Sequence, residues 1–189
     1  DVDLIHECVV KMAKEISDFM NITPDKQRMD SLMVAANIRN LSLLELFYTC
    51  VSNLCKIMNE RGTKIPDEQH HYIEKDDYNK CIYHKRDMDA TERTIVVMKD
   101  ADILIKICDS TGDFDDTSEY QLLIRLLKEH TIIDDDGSRR LRQKEEVENP
   151  SEVLLNPSDP EATFRYKAGG KHLGYVGNIV ESVGENGSL

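Results

Sequence analysis

Apolar residues recur at helical spacing in four stretches of the chain, and each stretch predicts an amphipathic helix. The sequence Ser42-Leu43-Leu44-Glu45 has capping-box spacing at the start of the second stretch, and Gly62 ends that helix. The third helix is predicted over Met88 to Cys108 and the fourth over about Ser118 to His130. The residues predicted to face inward are Ile5, Val9, Met12, Ile16 and Phe19; Leu43, Phe47, Cys50, Leu54 and Met58; Ile95, Met98, Ile105 and Cys108; and Leu122, Leu123, Leu126 and Leu127.

Two further segments have the alternating pattern of β-strands. The first runs from Gln27 to Ala36, after the helix-breaking segment Ile22-Thr23-Pro24-Asp25, and the second runs from Leu173 to Val183. Glu185-Asn186-Gly187 then has the composition of a hairpin turn, with no partner strand after it. Because an unpaired strand leaves backbone groups without partners, we expect the sequence to continue in a longer parent protein.

The charge balance is acidic, with 36 Asp and Glu against 24 Lys and Arg and a net charge of −12. A protein that coats nucleic acid has the opposite balance, so any DNA contact must be local. The acidic runs 113–116 and 134–136 lack the ligand spacing of an EF-hand, and we interpret them as solvated helix ends and loops. Residues 134–149 are mostly charged, which predicts a solvated linker or exposed helix; Arg139-Arg140-Leu141-Arg142 leaves a phosphate-contacting arm as the alternative.

Neither the cysteines nor the histidines match a standard metal motif. The five cysteines include no pair separated by two residues, so we interpret them as reduced, mostly buried small hydrophobes. Gln69-His70-His71 with Cys81 and His84 fits no standard zinc spacing, and a metal site is not predicted there. No apolar run approaches the roughly 18 residues that span a bilayer, and no signal-peptide pattern begins the chain, so we predict no membrane partner and a cytoplasmic location.

Two motifs give the chain a resemblance to a known family. The first is QRMDSLMVAANI at 27–38, continued by LLELFYTCV at 43–51, and the second is NPSDPEATFRYKAGGKHLGY at 156–175. In this order they resemble the central part of DDE transposases of bacterial insertion sequences, in the branch whose catalytic core is interrupted by a helical segment. The family usually has threonine two positions after its first catalytic aspartate, where this chain has Leu32.

The resemblance implies a mainly α (α+β) fold, with a helical bundle inserted between the first strands of a truncated RNase H-like core. Residues 1–40 would hold the N-terminal helix and first core strand, 41–149 the helical insertion, and 150–189 the basic motif and second core strand. Asp30 would be the first catalytic, metal-binding carboxylate.

The implied chemistry is DNA strand cleavage and transfer, which uses two divalent ions held by acidic side chains. The ions would be Mg²⁺ or Mn²⁺ in the full-length protein. The second aspartate and the glutamate would lie beyond this chain, so the isolated piece is expected to be inactive and to hold no metal. The implied partners are the DNA of the transposon ends and, at full length, further copies of the protein.

Arg165, Lys167, Lys171 and His172 would lie near DNA phosphates, with a charged surface loop as the alternative reading. A second hypothesis for the whole chain is a non-enzymatic acidic helical interaction module that meets a basic partner. The transposase hypothesis requires the Asp30 and Leu173 segments to pair as neighbouring strands, and the interaction module does not.

Overall fold

The structure, a computed structural model, describes residues 4–20, 26–84, 88–167, 169–184 and 187–188. It is an α+β structure whose contacts separate into two compact units. The ladder unit contains residues 1–35 and 174–189, and the helical unit contains residues 36–173. The elements are the helices α1 (Leu4–Met20), α2 (Leu43–Glu60), α3 (Asp77–Asn79), α4 (Ala90–Thr111) and α5 (Ser118–His130), the 3-10 segments Asp67–Ile73 and Lys144–Glu146, the π-helical turn Lys80–His84, and the strands β1 (Lys26–Ala35), β2 (Thr131–Ile133), β3 (Arg139–Leu141), β4 (Thr163–Lys167), β5 (Gly170–Gly184) and β6 (Gly187–Ser188).

Helix α2 begins at the predicted capping box. The backbone N–H of Glu45 donates to Ser42 Oγ at 3.3 Å, and the Ser42 N–H donates back to Glu45 Oε2 at 2.8 Å. The helix ends at Glu60, two residues before Gly62, which has a φ of 72°. These contacts satisfy backbone donors that the first turn of a helix leaves without partners, so this boundary was readable from sequence.

Helix α2 lies at the centre of the helical unit, where it packs against α4, α5 and the 3-10 segment 67–73. Four of its five predicted inward residues are buried, whereas Leu43 is exposed. Leu44, Tyr48 and Val51 are buried as well, although they lie off the predicted stripe. A helix with neighbours on several sides needs apolar residues over most of its circumference, so the single predicted stripe was too narrow.

The other two predicted helices of this unit are confirmed with small changes in their ends. Helix α4 begins after an unpredicted capping box formed by Asp89 and Glu92, and it ends at Gly112 in the left-handed region, with a φ of 70°. Helix α5 covers the predicted range 118–130. Among their predicted inward residues, Met98, Cys108, Leu123, Leu126 and Leu127 are buried, and Ile95, Ile105 and Leu122 are partly buried against the core.

Part of the charged segment 134–149 lies in a β-hairpin, which the prediction of a solvated linker or exposed helix did not include. The rest of the segment is turn, loop and the 3-10 segment Lys144–Glu146. Strand β2 pairs antiparallel with β3, with Ile132 opposite Arg140. The acidic run 134–136 occupies the turn region between these strands, as a loop interpretation requires. Composition alone did not indicate the hairpin, because a run of charged residues is usually solvated.

The ladder unit contains the two predicted strands as neighbours. Strand β1 pairs antiparallel with β5 from Lys26↔Val183 to Ala35↔Gly174, and this register places Asp30 opposite Ile179. The sheet has the strand order β1-β5-β4, with β6 pairing β5. The predicted break at 22–25 lies outside the described residues, and so do Glu185 and Asn186 of the predicted turn, although Gly184 and Gly187 on either side of them are paired.

Helix α1 is present as predicted, but its apolar face is exposed. Phe19 is 90% exposed and Ile5 is 78% exposed. The helical spacing of the apolar residues predicted the helix, because helix formation depends on residues that are close in sequence. It did not predict that the apolar face would be exposed. Among the described residues, no helix is both long enough and apolar enough to cross a membrane.

Candidate functional site

Asp30 lies on one face of the β1–β5 ladder together with apolar side chains. Residues directly opposite each other in an antiparallel pair share a face, so Asp30 shares its face with Ile179. Leu32 and Val34 follow on that face at alternate positions, and Tyr175 lies opposite Val34. All four apolar side chains are exposed, with Ile179 at 54%. On the other side of Asp30 along this face, Arg28 lies opposite Glu181 and forms an ion pair with it at 3.7 Å, so Asp30 lies where the charged end of the face meets its exposed apolar part.

The Asp30 carboxylate itself has one described local hydrogen bond, from the Ser31 N–H to Oδ1 at 2.8 Å. The rest of the side chain is exposed, so its oxygens can bind a ligand from solvent. Within the part of the chain that the structure describes, the one group of three His, Cys, Asp or Glu donors that could hold a metal ion does not include Asp30. A single carboxylate is one ligand and does not make a two-ion site.

The opposite face of the same ladder is also apolar and exposed. Met29 is 71% exposed and Val180, directly opposite it, is 50% exposed. Further along this face, the Ser31 hydroxyl bonds the side chain of Asn178 at 2.7 Å across the strands. Both faces of the ladder therefore carry the kind of residue that strands bury when layers cover them on two sides.

Two of the predicted DNA-contacting residues lie on opposite faces of the β4–β5 hairpin. Lys171 is exposed, and its ammonium nitrogen lies 4.3 Å from the centre of the Phe164 ring. Arg165 follows Phe164 in β4 and therefore points to the other face. There it donates to the Ser151 carbonyl oxygen at 3.3 Å and lies 3.8 Å from the Glu152 carboxylate.

His172 is exposed and alternates with Lys171 along β5, so it lies on the Arg165 side of the strand. Lys167 is in β4, and its side chain is outside the described part of the chain. Lys171 is thus a solvent-facing cation, while the Arg165 guanidinium is partly engaged by its own fold. That these residues bind DNA stays a prediction.

The two arginines of β3 are paired with carboxylates, so a phosphate would have to compete with these partners. Arg139 Nε lies 2.8 and 3.0 Å from the two carboxylate oxygens of Asp102, on α4. Arg140 donates to both Glu146 oxygens at 2.8 Å and to Asp134 at 3.0 Å. The hydrogen bonds from Arg140 lower the pKa of Glu146 to about 2. The donors of these two guanidinium groups are thus engaged by carboxylates of the hairpin turn, of α4 and of the 3-10 segment 144–146.

A cluster that sequence spacing did not predict surrounds Asp77, which is buried. Asp77 Oδ2 accepts hydrogen bonds from Tyr48 Oη at 2.6 Å and Cys81 Sγ at 3.4 Å, and it lies 2.8 Å from His71 Nδ1. Burial raises the pKa of Asp77, but the hydrogen bonds from Tyr48 and His71 outweigh it and leave the pKa below its usual value. The acceptor is therefore a carboxylate at neutral pH.

His70, His71, Cys81 and His84 have a spacing that predicts no metal site, and the structure brings only part of this set together. The structure brings His71 and Cys81 together through Asp77, leaves His70 exposed, and does not describe the His84 side chain. The feature of the sequence that could have indicated this cluster is the four-residue spacing of Asp77 and Cys81, which places both side chains on one side of a helical turn.

Comparison of the chain with protein-family models, with curated proteins and with solved structures gives no match in any of the three.

Proposed function

We propose that the chain is part of a DDE transposase that cleaves and transfers DNA strands, with Asp30 as its first metal-binding carboxylate. The observation that carries the proposal is the antiparallel pairing of β1 with β5, in which Asp30 lies opposite Ile179. The helical unit enters the sequence between these two strands. This arrangement is what the transposase hypothesis requires, and an independent interaction module gives no reason for it.

The exposed apolar residues of the ladder also support the proposal. A strand that is apolar on both faces belongs in a sheet covered on both sides, as in an α/β core. Met29 and Val180 on one face and Leu32 and Ile179 on the other meet that description. In the proposed protein, later strands and helices cover these faces and supply the remaining acidic ligands.

Asp30 is the type of ligand that the proposed metal ions prefer. Carboxylate oxygen is a hard ligand, which suits Mg²⁺ or Mn²⁺. When bound, a pair of such ions stabilises the attacking and leaving oxygens of the phosphoryl transfer. Asp30 would contribute one carboxylate to this pair, and Lys171 would contact the DNA backbone as a solvent-facing cation.

The proposed protein binds transposon-end DNA and acts as a homo-oligomer in the cytoplasm. The alternative is a non-enzymatic acidic module that binds a basic partner. The net charge of −12 favours neither, because local basic residues suffice for backbone contacts. The two hypotheses differ in whether substitution of Asp30 abolishes a metal-dependent reaction on DNA.

The test is Mg²⁺-dependent or Mn²⁺-dependent cleavage of transposon-end DNA by the protein that carries these residues together with the neighbouring sequence of its gene. Asp30→Asn and Asp30→Ala should lower cleavage by at least about 10³-fold, because a ligand of the ions is lost, while DNA binding is retained. Asp135→Asn is the matched control, since this aspartate is exposed in the β2–β3 turn region.

Circular dichroism would verify that each variant is folded. Cleavage at the wild-type rate by Asp30→Asn would remove Asp30 from the mechanism. Absence of cleavage and end binding in the wild type, with binding to a basic partner, would favour the interaction module.

A further inference from the structure

Three side chains of the helical unit bring nitrogen, oxygen and sulfur donors to one point. The candidate ligand atoms of His71, Asp77 and Cys81 all lie within 4.8 Å of one another. Asp77 and Cys81 are four residues apart across α3 and the following π-helical turn, so both point to the same side. His71 reaches them from the 3-10 segment 67–73. A π-helical turn is uncommon and often marks a functional site.

We propose that His71, Asp77 and Cys81 form a zinc-binding site in the helical unit. Zinc accepts thiolate, imidazole and carboxylate ligands, whereas Mg²⁺ and Ca²⁺ favour oxygen alone. The Asp77 carboxylate and a Cys81 thiolate together carry two negative charges, and His71 is a neutral ligand. A divalent ion makes the group electrically neutral, which suits a site where the Asp77 side chain is 8% exposed.

The observed distances require only a small expansion to admit the ion. Bond lengths of about 2.0–2.3 Å in a tetrahedral site place neighbouring ligand atoms about 3.3–3.7 Å apart. Asp77 Oδ2 lies 2.8 Å from His71 Nδ1 and 3.4 Å from Cys81 Sγ. The Asp77–Cys81 distance already falls in this range, the Asp77–His71 pair has to widen by about 0.5 Å, and the His71 and Cys81 ligand atoms lie within 4.8 Å of each other.

The surroundings offer a fourth position and support for the ligands. A cavity of about 60 Å³ is lined by His71 and Cys81, although not by Asp77. It exceeds the roughly 10–15 Å³ that a cavity must offer to hold one water. A water beside these two ligands can serve as the fourth ligand of a four-coordinate site. The Tyr48 hydroxyl donates to Asp77 at 2.6 Å, which is the type of outer contact that orients a metal-binding carboxylate.

This site is separate from the proposed transposase chemistry. Its donors belong to the helical unit, whereas Asp30 belongs to the ladder unit. Its mixed N, O and S ligands select a different metal from the carboxylate expected to bind Mg²⁺. A failure to bind zinc would therefore not contradict the proposed role of Asp30. Likewise, unchanged DNA cleavage by Asp30→Asn would not contradict the zinc site.

The test is a Co²⁺ titration of the metal-free chain of 189 residues, prepared without a histidine tag and under reducing conditions. Co²⁺ replaces zinc in such sites and gives visible absorption bands, together with a near-ultraviolet band when a thiolate is bound. We expect one Co²⁺ per chain with the thiolate band, displacement by Zn²⁺, and an increase in the thermal midpoint with Zn²⁺.

Matched variants assign the ligands. Cys81→Ser should lose the thiolate band, and His71→Gln and Asp77→Asn should each weaken Co²⁺ binding by at least about tenfold. Cys8→Ser and His70→Gln are the controls, because Cys8 and His70 are exposed and lie outside the cluster. Circular dichroism establishes that each variant is folded, and His71→Gln still tests the site if Cys81→Ser does not fold.

A wild type without the thiolate band would overturn the proposal, and so would a band that survives in folded Cys81→Ser. A band that disappears in Cys8→Ser would overturn it as well. In any of these cases the cluster is a hydrogen-bond network around Asp77 and no more.

Discussion

At the scale of single residues, Asp77 shows how a buried charge is accommodated. Its carboxylate is surrounded by the side chains of Tyr48, His71 and Cys81, which reach it from three separate segments. A buried carboxylate without such donors would cost several kcal/mol. The hydrogen-bond donors are therefore a condition for placing an aspartate in this position.

Tyr48→Phe should lower the free energy of unfolding by about 1.5–3 kcal/mol, because it removes a hydrogen bond to a buried charged group while preserving the ring. Tyr48 is 2% exposed, so solvent cannot replace the lost donor. Chemical denaturation followed by circular dichroism measures the difference. Tyr166→Phe is the control, since Tyr166 is 74% exposed, and a Tyr48→Phe effect no larger than this control would contradict the role given to the Asp77 hydrogen bond.

His130, at the end of α5, is a partly buried titratable residue. Its ring packs edge-on against Phe47, with centroids 6.5 Å apart. Burial lowers the pKa of His130, although the nearby Glu129 carboxylate favours the protonated form. Its Nε2 is buried and has no hydrogen-bond partner among the described residues. The folded state therefore favours the neutral ring.

The free energy of unfolding should fall as the pH decreases from 8 to 5, with His130 contributing to the loss. The unfolded histidine has a pKa of about 6.5 and the folded one a lower pKa, so protons bind the unfolded state more strongly below pH 6.5. His130→Gln should flatten the profile, and His70→Gln at an exposed position should not. Denaturation midpoints at several pH values measure this, and equal slopes for wild type and His130→Gln would refute it.

At the scale of elements, the β2–β3 and β4–β5 hairpins use their cations differently. The β2–β3 hairpin holds Arg139 and Arg140 in ion pairs with carboxylates of other segments. The β4–β5 hairpin instead presents Lys171 to solvent, above an aromatic ring. A cation that is already paired must lose that partner before it binds a phosphate, so Lys171 is the better candidate for DNA contact.

Lys171→Gln should weaken binding to duplex DNA and reduce the slope of log affinity against log salt by about 0.9, the value for one phosphate contact. Arg140→Gln should leave the slope unchanged, because Arg140 is engaged by Glu146 and Asp134. Fluorescence anisotropy over a range of salt concentrations measures both. If Arg140→Gln reduced the slope and Lys171→Gln did not, the phosphate contact would instead lie on the β2–β3 hairpin.

At the scale of the whole molecule, the two units differ in how their apolar residues are covered. The buried core runs from Leu44 to Leu154 and lies entirely within the helical unit. In the ladder unit, α1 and both faces of the β1–β5 ladder expose apolar side chains. The helical unit therefore has what a chain needs to fold alone, whereas the ladder unit lacks a described core of its own.

Residues 36–173 alone should fold and unfold cooperatively at the same thermal midpoint as the 189-residue chain. They should also bind less of a hydrophobic dye, because the exposed apolar faces have been removed. Phe47→Ala is the control in both backgrounds, since Phe47 is fully buried and its loss should cost about 3–5 kcal/mol in each. An unfolded or non-cooperative 36–173 segment would show that the core depends on the ladder unit.

The sequence by itself determined the elements whose cause is local. Capping residues and helical spacing gave α2 and α5 close to their observed limits, and alternation gave β1 and β5. These features depend on hydrogen bonds and side-chain positions within a few residues of each other, so they can be predicted from the order of residues in the sequence. Asp30 was selected through the resemblance, and the structure adds its position opposite Ile179.

Only the tertiary structure decided which side chains meet across the chain. Arg139 finds Asp102 at a separation of 37 residues, and Tyr48 finds Asp77 at a separation of 29. Neither partner can be read from spacing, because helix packing and not chain connectivity sets these distances. The tertiary structure likewise shows the pairing of β2 with β3 and brings together the His71, Asp77 and Cys81 donors, which no standard motif had indicated.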